Sequence, residues 1–303
     1  MSILKLLTAI SLAAFSVTAL RGERHCPGNG PSVPLRVVQE TLIVAPMTIN
    51  GSGPYDFLVD TGAQITTIDP RLAARLNLRT EGITGVSGVA SFGRKNFTHL
   101  AKVEIGGHPV DDVLAIVDDL LQLHQADAKI RGIVGEDYLA HFDLLIDNEH
   151  RMLCLDESGT IAAEMKGFHV ALEQPYGPDL DLPFTRPLVV SAQLQGSRNG
   201  VLFRLDSGTN APVIYGERGT EQKVPANARI FKTNVNGVEQ DFAVLAPQDF
   251  AVGSLSVRRV SFVRPMNSAG VATAAREDGV LPTSLFQRIF VSYERKFAIL
   301  VPR

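Results

Sequence analysis

Residues 57–68 read FLVDTGAQITTI, an apolar strand pattern that ends in Asp60 and is followed at once by Thr and Gly. Alone, such a turn is ordinary, because Asp readily bonds its own backbone and Gly supplies conformational freedom. A second stretch, VLFRLDSGTNAPVIY at 201–215, repeats the pattern around Asp206. This recurrence makes the two aspartates candidates for one shared site.

Other landmarks recur at nearly the same spacing as the two aspartates. The matched pairs, 145 to 147 residues apart, are Gly51 and Gly196, Asp60 and Asp206, Gly106 and Gly253, and Gly132 and Gly279. A regular offset of this kind indicates an internal duplication. Each unit has roughly 120 residues, which is longer than a solenoid repeat and close to the size of a domain.

The periodicity inside each unit is that of β-strands. The segments PLRVVQETLIVAPMTI (34–49) and PLVVSAQLQ (187–195) are rich in β-branched residues, which favour strands. Helical patterns are brief, such as DPRLAARLNL (69–78), which opens with an Asp cap and a Pro at the first helical position. The pattern predicts an all-β fold, mainly β with short helices, in two lobes.

The chain divides into five predicted segments. They are a signal peptide (1–20), an N-terminal arm (21–36), a first lobe (37–157), a linker (158–187) and a second lobe (188–303). Four prolines in the stretch 173–187 disfavour a regular hydrogen-bonded ladder at the joint between the lobes.

The first twenty residues, MSILKLLTAISLAAFSVTAL, contain one early Lys, an apolar run and a small-residue ending. This pattern is typical of a secretory signal peptide and predicts an exported protein, periplasmic or secreted. An uncleaved anchor is the alternative, but the run falls short of the roughly 20 apolar residues that a spanning helix needs. We therefore expect no stable membrane span after signal removal.

Cys26 and Cys154 are the two cysteines of the chain. In an oxidising compartment they could form a disulfide between the N-terminal arm and the strand around position 154. The alternative is that Cys154 is a small buried apolar residue and Cys26 lies in a mobile arm. Both alternatives stay open on the sequence alone.

Composition excludes several functional classes. The net charge of −3 offers no basic stripe to neutralise phosphates, so no nucleic acid partner is expected. The seven histidines are scattered, without the spacing that gathers metal ligands on one element, so no metal site is predicted. No phosphate loop or dinucleotide fingerprint is present, and no cofactor is implied.

The motifs together resemble an aspartic protease of the retropepsin-like and pepsin-like type. The first unit carries the Asp-Thr-Gly stretch, a Gly-rich segment at 82–93, and Gly-Ile-Val-Gly at 132–135. The second carries Asp-Ser-Gly and Gly-Val-Leu-Pro at 279–282, further from the family pattern. The resemblance covers most of the chain and is to bacterial exported two-lobe aspartyl proteases. It implies duplicated acid-protease-type β-barrel lobes in a pepsin-like bilobal arrangement.

The resemblance also implies residue roles in an aspartic endopeptidase. The catalytic dyad would be Asp60 and Asp206. The supporting residues would be Thr61, Gly62, Ser207, Gly208, Gly132 and Gly279, and the flap that closes over substrate would include Gly85, Val86, Ser87 and Gly88. The partner would be a peptide or protein substrate, and the protein would be a monomer if the dyad forms within one chain.

A pair of aspartates suits this chemistry. Two carboxylates about 3 Å apart repel by roughly 5 kcal/mol at an effective dielectric constant near 20. They therefore titrate in two separated steps and hold one shared proton, as in aspartic protease dyads generally. Such a pair supplies an acid and a base at the same time.

The second unit departs from the first at three points. Arg204 stands where the first unit has Leu58, Pro282 replaces the position of Gly135, and no second Gly-rich stretch follows Asp206. A guanidinium facing the dyad would favour ionised carboxylates and disturb the shared proton, whereas one pointing outward would do nothing. Two alternatives therefore remain: a protease formed by the first lobes of two chains, and an inactive protein that binds peptides.

Overall fold

The computed structural model describes residues 25–87, 92–173, 187–215, 224–235, 238–266 and 277–303. The predicted signal peptide, Gly88 of the predicted flap and positions 174–186 of the predicted linker lie outside these residues. Within the described part of the chain, no helix combines the length and the apolar character needed to cross a membrane.

Strands dominate the first half of the chain. They are β1 (Val33–Pro34), β2 (Arg36–Val38), β3 (Leu42–Ile49), β4 (Ser52–Val59), β5 (Thr66–Ile68), β6 (Gly82–Ser87), β7 (Phe92–Ile105), β8 (His108–Val117), β9 (Ile130–Val134), β10 (Asp143–Asp147), β11 (Met152–Asp156) and β12 (Phe168–Ala171). The α-helices are α1 (Pro70–Arg75), α2 (Leu121–Ala126), α3 (Glu136–Leu139) and α4 (Thr160–Glu164). None of these four helices is longer than six residues.

The described part of the second half is also built from strands. They are β13 (Val189–Leu194), β14 (Val201–Asp206), β15 (Val213–Ile214), β16 (Ile230–Val235), β17 (Val238–Val244), β18 (Gln248–Val252), β19 (Leu255–Val260), β20 (Val263–Pro265), β21 (Gly279–Pro282), β22 (Phe286–Ser292) and β23 (Phe297–Pro302). A 3₁₀ turn, Thr283–Leu285, joins β21 to β22. The prediction of a mainly β protein with short helices is confirmed.

The strands form three sheets. The first sheet has the order β2-β3-β4-β9-β5-β8-β7-β6, and the second has the order β16-β17-β20-β15-β21-β14-β13-β18-β19. The third sheet, β1-β11-β10-β22-β23-β12, takes strands from both halves of the chain. Each aspartate of the two motifs therefore belongs to its own sheet, and the third sheet joins the two units.

The first and second sheets repeat one pattern of strand pairing. Strand β4 runs parallel to β9 with Phe57 opposite Gly132, and β14 runs parallel to β21 with Phe203 opposite Gly279. In each sheet the short next strand, β5 or β15, pairs antiparallel with β9 or β21. It also pairs parallel with β8 or β20. The structure thus carries the duplication that the spacing of the landmarks predicts.

A phenylalanine three residues before each aspartate packs inside its unit. Phe57 and Phe203 are fully buried and belong to one continuous apolar core. Burying such a side chain contributes roughly 1.5–3 kcal/mol. These rings therefore fix the strand ends from which the two aspartates emerge.

The third sheet connects the units through β10 and β22. These strands pair antiparallel along their length, from Asp143 opposite Ser292 to Asp147 opposite Arg288. The predicted linker contributes regular structure as well, because α4 lies within it and β12 pairs with β23 at the edge of this sheet.

A disulfide between Cys26 and Cys154 attaches the N-terminal arm to this third sheet. The Cα atoms of the two residues are 5.8 Å apart, and 128 positions separate them in the sequence. Strand β1 pairs with β11 beside the bond, and the Gly28 N–H donates to the Glu164 carboxylate at 2.9 Å. The cysteines are therefore paired, and the arm is packed against the fold from Cys26 onward.

Helix α1 begins where the sequence predicts. The Asp69 carboxylate accepts from the N–H groups of Arg71 and Leu72 at 2.6 and 3.2 Å, and Pro70 occupies the first turn. This is the side-chain capping that an Asp before the first helical residue provides. The helix ends at Arg75, earlier than the predicted segment.

Candidate active site

The two aspartates of the motifs meet at the ends of equivalent strands. Asp60 directly follows β4, and Asp206 is the last residue of β14. Their side-chain carboxyls lie close enough for each to change the pKa of the other, and the carboxyls are desolvated although each residue as a whole is partly exposed. The structure therefore brings the predicted dyad together within a single chain.

Crossed hydrogen bonds join the loops that carry the aspartates. The Thr61 N–H donates to the Ser207 hydroxyl, and the Ser207 N–H donates to the Thr61 hydroxyl, both at 3.1 Å. Each hydroxyl in turn donates to the opposite strand: Thr61 to the Leu205 carbonyl at 2.8 Å and Ser207 to the Val59 carbonyl at 2.7 Å. These four buried bonds fix the distance between the loops.

Two glycines allow the loops to approach this closely. A Cβ atom on Gly62 would lie 2.5 Å from Cγ of Asp206, and one on Gly208 would lie 2.3 Å from Oδ2 of Asp60. Neither contact is sterically possible. Gly therefore leaves room at each position for the carboxyl of the opposite unit.

Gly132 and Gly279 support the strands beneath the loops. A Cβ atom on Gly132 would lie 1.9 Å from the Phe57 ring, and one on Gly279 would lie 2.1 Å from the Val213 carbonyl oxygen. Both glycines therefore permit tight packing between neighbouring strands. They act on the backbone that leads to the aspartates.

The predicted flap forms part of a hairpin between β6 and β7. Gly85, Val86 and Ser87 lie opposite Arg94, Gly93 and Phe92 in its antiparallel register. Gly88 falls outside the described residues. Contact of the hairpin with substrate stays a prediction.

Burial and the pairing of the carboxyls set the protonation of the dyad. Burial, with the adjacent Asp60 carboxylate, raises the pKa of Asp206 well above its usual range. Burial also raises the pKa of Asp60, while the N–H of Gly62 opposes that change. One carboxyl of the pair therefore keeps a proton at pH values where an exposed aspartate is ionised.

The backbone donates unequally to the two carboxyls. Oδ1 of Asp60 accepts from the N–H groups of Gly62 and Ala63 at 2.8 and 3.1 Å. Oδ1 of Asp206 accepts from the Gly208 N–H at 2.7 Å. Because donated hydrogen bonds favour the charged form, this difference favours a negative charge on Asp60.

The side chain of Arg204 points toward the dyad region and is paired with a buried counter-ion. Its guanidinium donates to both carboxylate oxygens of Glu277, at 3.1 and 3.3 Å, and to the Gly62 carbonyl at 3.1 Å. The Tyr215 hydroxyl donates to the same carboxylate at 3.2 Å. The sequence left the direction of Arg204 open and gave no role to Glu277. A buried arginine requires a partner, so the position of Arg204 within an apolar strand could have indicated that an acidic residue lies beside it.

Pro282 takes the place of Gly135 at the end of the equivalent strand. It lies opposite Asp206 in the register of β14 and β21 and is buried. In the first unit the Gly135 N–H donates to the Thr66 hydroxyl at 3.3 Å. Proline has no N–H, so the second unit cannot form the corresponding bond.

Asp137 is a further buried carboxyl that the sequence did not single out. It accepts from the Thr66 N–H at 2.9 Å and from the Thr66 hydroxyl at 2.8 Å, which ties α3 to β5. Burial raises the pKa of Asp137 to about 6. It stabilises the frame of the first unit and has no described contact with the dyad.

The described residues include one group with the donor types of a metal site: Asp147, Glu149 and His150. The last two are exposed, and the Asp147 carboxylate accepts from the His150 N–H at 2.8 Å within a strand-connecting turn. Exposed acidic groups of this kind are common in turns that hold no metal ion.

A comparison with known protein families matches part of the first unit. Residues 45–138 match the model of a family described as aspartyl protease. No significant match was found among curated proteins. The matched segment contains Asp60, Thr61, Gly62 and Gly132 and ends before the second unit. The match relates the first unit to aspartic proteases and supports a hydrolase that acts on peptide bonds.

Proposed function

We propose that this protein is a single-chain aspartic endopeptidase in which Asp60 and Asp206 activate one water molecule. The observation that carries the proposal is the set of crossed bonds between Thr61 and Ser207, which holds each carboxyl against the loop of the other unit. An aspartate turn with only a structural purpose would not need an equivalent turn from a second sheet.

The chemistry follows from the shared proton. The ionised carboxyl takes a proton from the bound water as the water attacks the scissile carbonyl carbon, and the protonated carboxyl donates to the carbonyl oxygen. As the resulting tetrahedral species collapses, a proton passes to the leaving nitrogen and the C–N bond breaks. The pair returns to its singly protonated state, so the mechanism needs no cofactor.

The geometry favours this mechanism over the two alternatives. The partner of Asp60 is Asp206 of the same chain, so a dimer of first units is not required, and a monomer is the expected active form. Arg204 does not face the dyad as an unbalanced charge, because Glu277 pairs with it. An inactive peptide-binding protein would have no need for two supported carboxyls.

The substrate is expected to be a peptide or protein outside the cytoplasm. The β6 and β7 hairpin is the element proposed to cover a bound peptide, which would exclude water around the scissile bond. The disulfide between Cys26 and Cys154 supports an oxidising compartment. Export to the periplasm or beyond agrees with the signal-like pattern of residues 1–20.

The test is cleavage of a diverse peptide mixture from acid to neutral pH by folded protein. Asp60→Asn and Asp206→Asn should each lower the cleavage rate by at least about 1,000-fold, because neither variant retains an acid and base pair. Asp111→Asn, which changes an exposed carboxyl on β8, is the matched control and should cleave normally.

The pattern of loss separates the three functions. Loss in both variants supports one dyad within a chain. Loss in Asp60→Asn alone would indicate pairing of first units between chains. A wild-type protein that binds peptides but cleaves none of them at any pH would indicate a peptide-binding protein.

A further inference from the structure

Arg204 connects the second unit to the Asp60 loop. It lies on β14 two residues before Asp206, and its side chain is largely buried, with 9% of the residue exposed. Two of its nitrogens pair with Glu277, and Nη1 donates to the carbonyl of Gly62 in the other unit. The guanidinium therefore satisfies a buried carboxylate and a loop carbonyl together.

The peptide group between Gly62 and Ala63 relays this contact to the dyad. Its carbonyl oxygen accepts from Arg204 at 3.1 Å, and its N–H donates to Oδ1 of Asp60 at 3.1 Å. A peptide group is a dipole, and the positive charge at its oxygen end orients and polarises the N–H toward Asp60. Arg204 thus acts on Asp60 through one peptide group.

The relay is absent on the other side of the dyad. Leu58 occupies the position in the first unit that corresponds to Arg204, so no guanidinium from that position supports the Asp206 loop. Asp60 accepts two backbone N–H bonds and Asp206 accepts one. The departure of the second unit from the first therefore makes the dyad asymmetric.

We propose that Arg204 is a positioning residue that makes Asp60 the ionised carboxyl of the dyad and leaves the shared proton on Asp206. This inference rests on the proposed peptidase function and assigns its base to Asp60 and its acid to Asp206. Arg204 touches no reacting atom. Its charge lowers the pKa of both aspartates, and its bond to the Gly62 carbonyl adds an effect on Asp60 through the Gly62–Ala63 peptide group.

Other charged and titratable groups face this arrangement from the surrounding elements. Glu277 precedes β21, Glu136 lies on α3, Tyr215 follows β15 and Tyr293 follows β22. Glu136, Glu277 and Tyr215 favour the positive charge of Arg204. Burial, followed by Glu136, raises the pKa of Tyr293. Glu277 bonds directly to Arg204, so the influence of Arg204 on the dyad depends most directly on this carboxylate.

The decisive experiment compares Arg204→Met with Glu277→Gln. Removing the guanidinium removes a positive charge that lowers the pKa of both aspartates, so the acid limb of the kcat/KM profile should move up by roughly one pH unit. Removing the Glu277 charge leaves Arg204 unbalanced, so the limb should move down by a similar amount. Arg295→Met removes an arginine that pairs with Asp143 on the third sheet and should move neither limb.

A merely structural role for Arg204 predicts a different result. Both substitutions would then lower activity and stability without moving the acid limb, or would move it in one direction. Either outcome would overturn the proposal. Arg204→Lys should keep the acid limb near its wild-type position while lowering kcat, because an ammonium preserves the charge but not the forked geometry.

A second measurement tests the electrostatic effect of Arg204 on the dyad without requiring peptidase activity. The unfolding midpoint of the protein is compared with that of its Asp206→Asn form across pH. The folded dyad holds a proton that the unfolded chain releases above about pH 4, so the midpoint difference should decline as pH rises through the dyad range.

In the Arg204→Met background this decline should move to higher pH, and in Glu277→Gln it should move to lower pH. An unmoved decline overturns the proposed role of Arg204. If the wild type cleaves no peptide while the decline still moves in opposite directions, the peptidase proposal fails and the electrostatic role of Arg204 stands. If Arg204→Met does not fold, Glu277→Gln should still move the decline to lower pH while Arg204→Lys leaves it in place, and any other result overturns the proposal.

Discussion

The two units share an inner frame and differ in what supports it. Each has a strand that ends in an aspartate, a hydroxyl residue that reaches the opposite loop, and a glycine that leaves room for the opposite carboxyl. Behind this frame, the first unit ties Thr66 to Asp137, whereas the second unit pairs Arg204 with Glu277. The groups that meet at the dyad are repeated, while those further back have diverged.

The divergence has a physical reason. Groups at the contact between the units must fit each other, so a change in one loop alone would break a reciprocal contact. The supporting positions lie outside this reciprocal contact, even where Arg204 reaches the Gly62 carbonyl of the other unit, and they can differ. Thr66 and Asp137 correspond by spacing to Pro212 and Ser284, which cannot reproduce the same pair of bonds.

The strongest test of the shared frame is to fill the space that the two glycines leave. Gly62→Ala and Gly208→Ala should each lower kcat/KM by at least about 100-fold, because each new Cβ atom would collide with the opposite carboxyl and misplace it. Peptide cleavage assays on folded variants provide the measurement. Gly30→Ala, whose Cβ atom would make an ordinary contact, is the control. A large loss in only one of the two variants would show that the frame is not reciprocal.

A smaller effect is expected when the crossed hydroxyls are removed. Thr61→Val and Ser207→Ala each leave a buried N–H and a buried carbonyl of the opposite unit without their partner. Each should lower the free energy of unfolding by about 1–3 kcal/mol, measured in urea. Thr61→Ser keeps the hydroxyl and is the control. If Thr61→Val and Ser207→Ala lower the free energy of unfolding by clearly different amounts, the two hydroxyls do not contribute equally to the contact between the units.

The smallest effect concerns the first unit alone. Burial raises the pKa of Asp137 from 3.8 to about 6, so the folded state holds a proton that the unfolded chain releases between these values. The contribution of Asp137 to stability is therefore present below about pH 4 and is lost as pH rises through 6.

The measurement for Asp137 is the free energy of unfolding of the wild type minus that of Asp137→Asn, followed from pH 4 to 7. The difference should fall over this range. Ser284→Ala, at the corresponding position of the second unit, should give no such slope. A flat difference for Asp137→Asn would show that its carboxyl is already ionised at pH 4.

Much of the fold could be predicted because it depends on local patterns. Strand periodicity, the Asp69 cap of α1 and the regular offset of the glycine landmarks all follow from short-range chemistry. The offset alone predicts the equivalence of Phe57 and Phe203, which the strand registers show. The two aspartates of the dyad could also be predicted from the sequence, because both lie in repeated motifs.

The rest depends on contacts between distant residues. Glu277 is 73 positions from Arg204, and no spacing rule connects a buried arginine to a counter-ion that precedes a neighbouring strand. The disulfide left two alternatives for the same reason, since Cys26 and Cys154 are brought together only by the third sheet. The strand β12 also escaped prediction, because its partner β23 lies at the far end of the chain.

The pairing of β10 with β22 has a consequence for assembly. In a β-sheet, a strand has two edges for backbone hydrogen bonding, and β10 uses them for β11 and β22. A symmetric dimer of first units would need a free edge at this strand to form a continuous sheet across the two chains. Here β22 of the second unit occupies that edge within the same chain, so β10 has no edge left for a strand of a second chain.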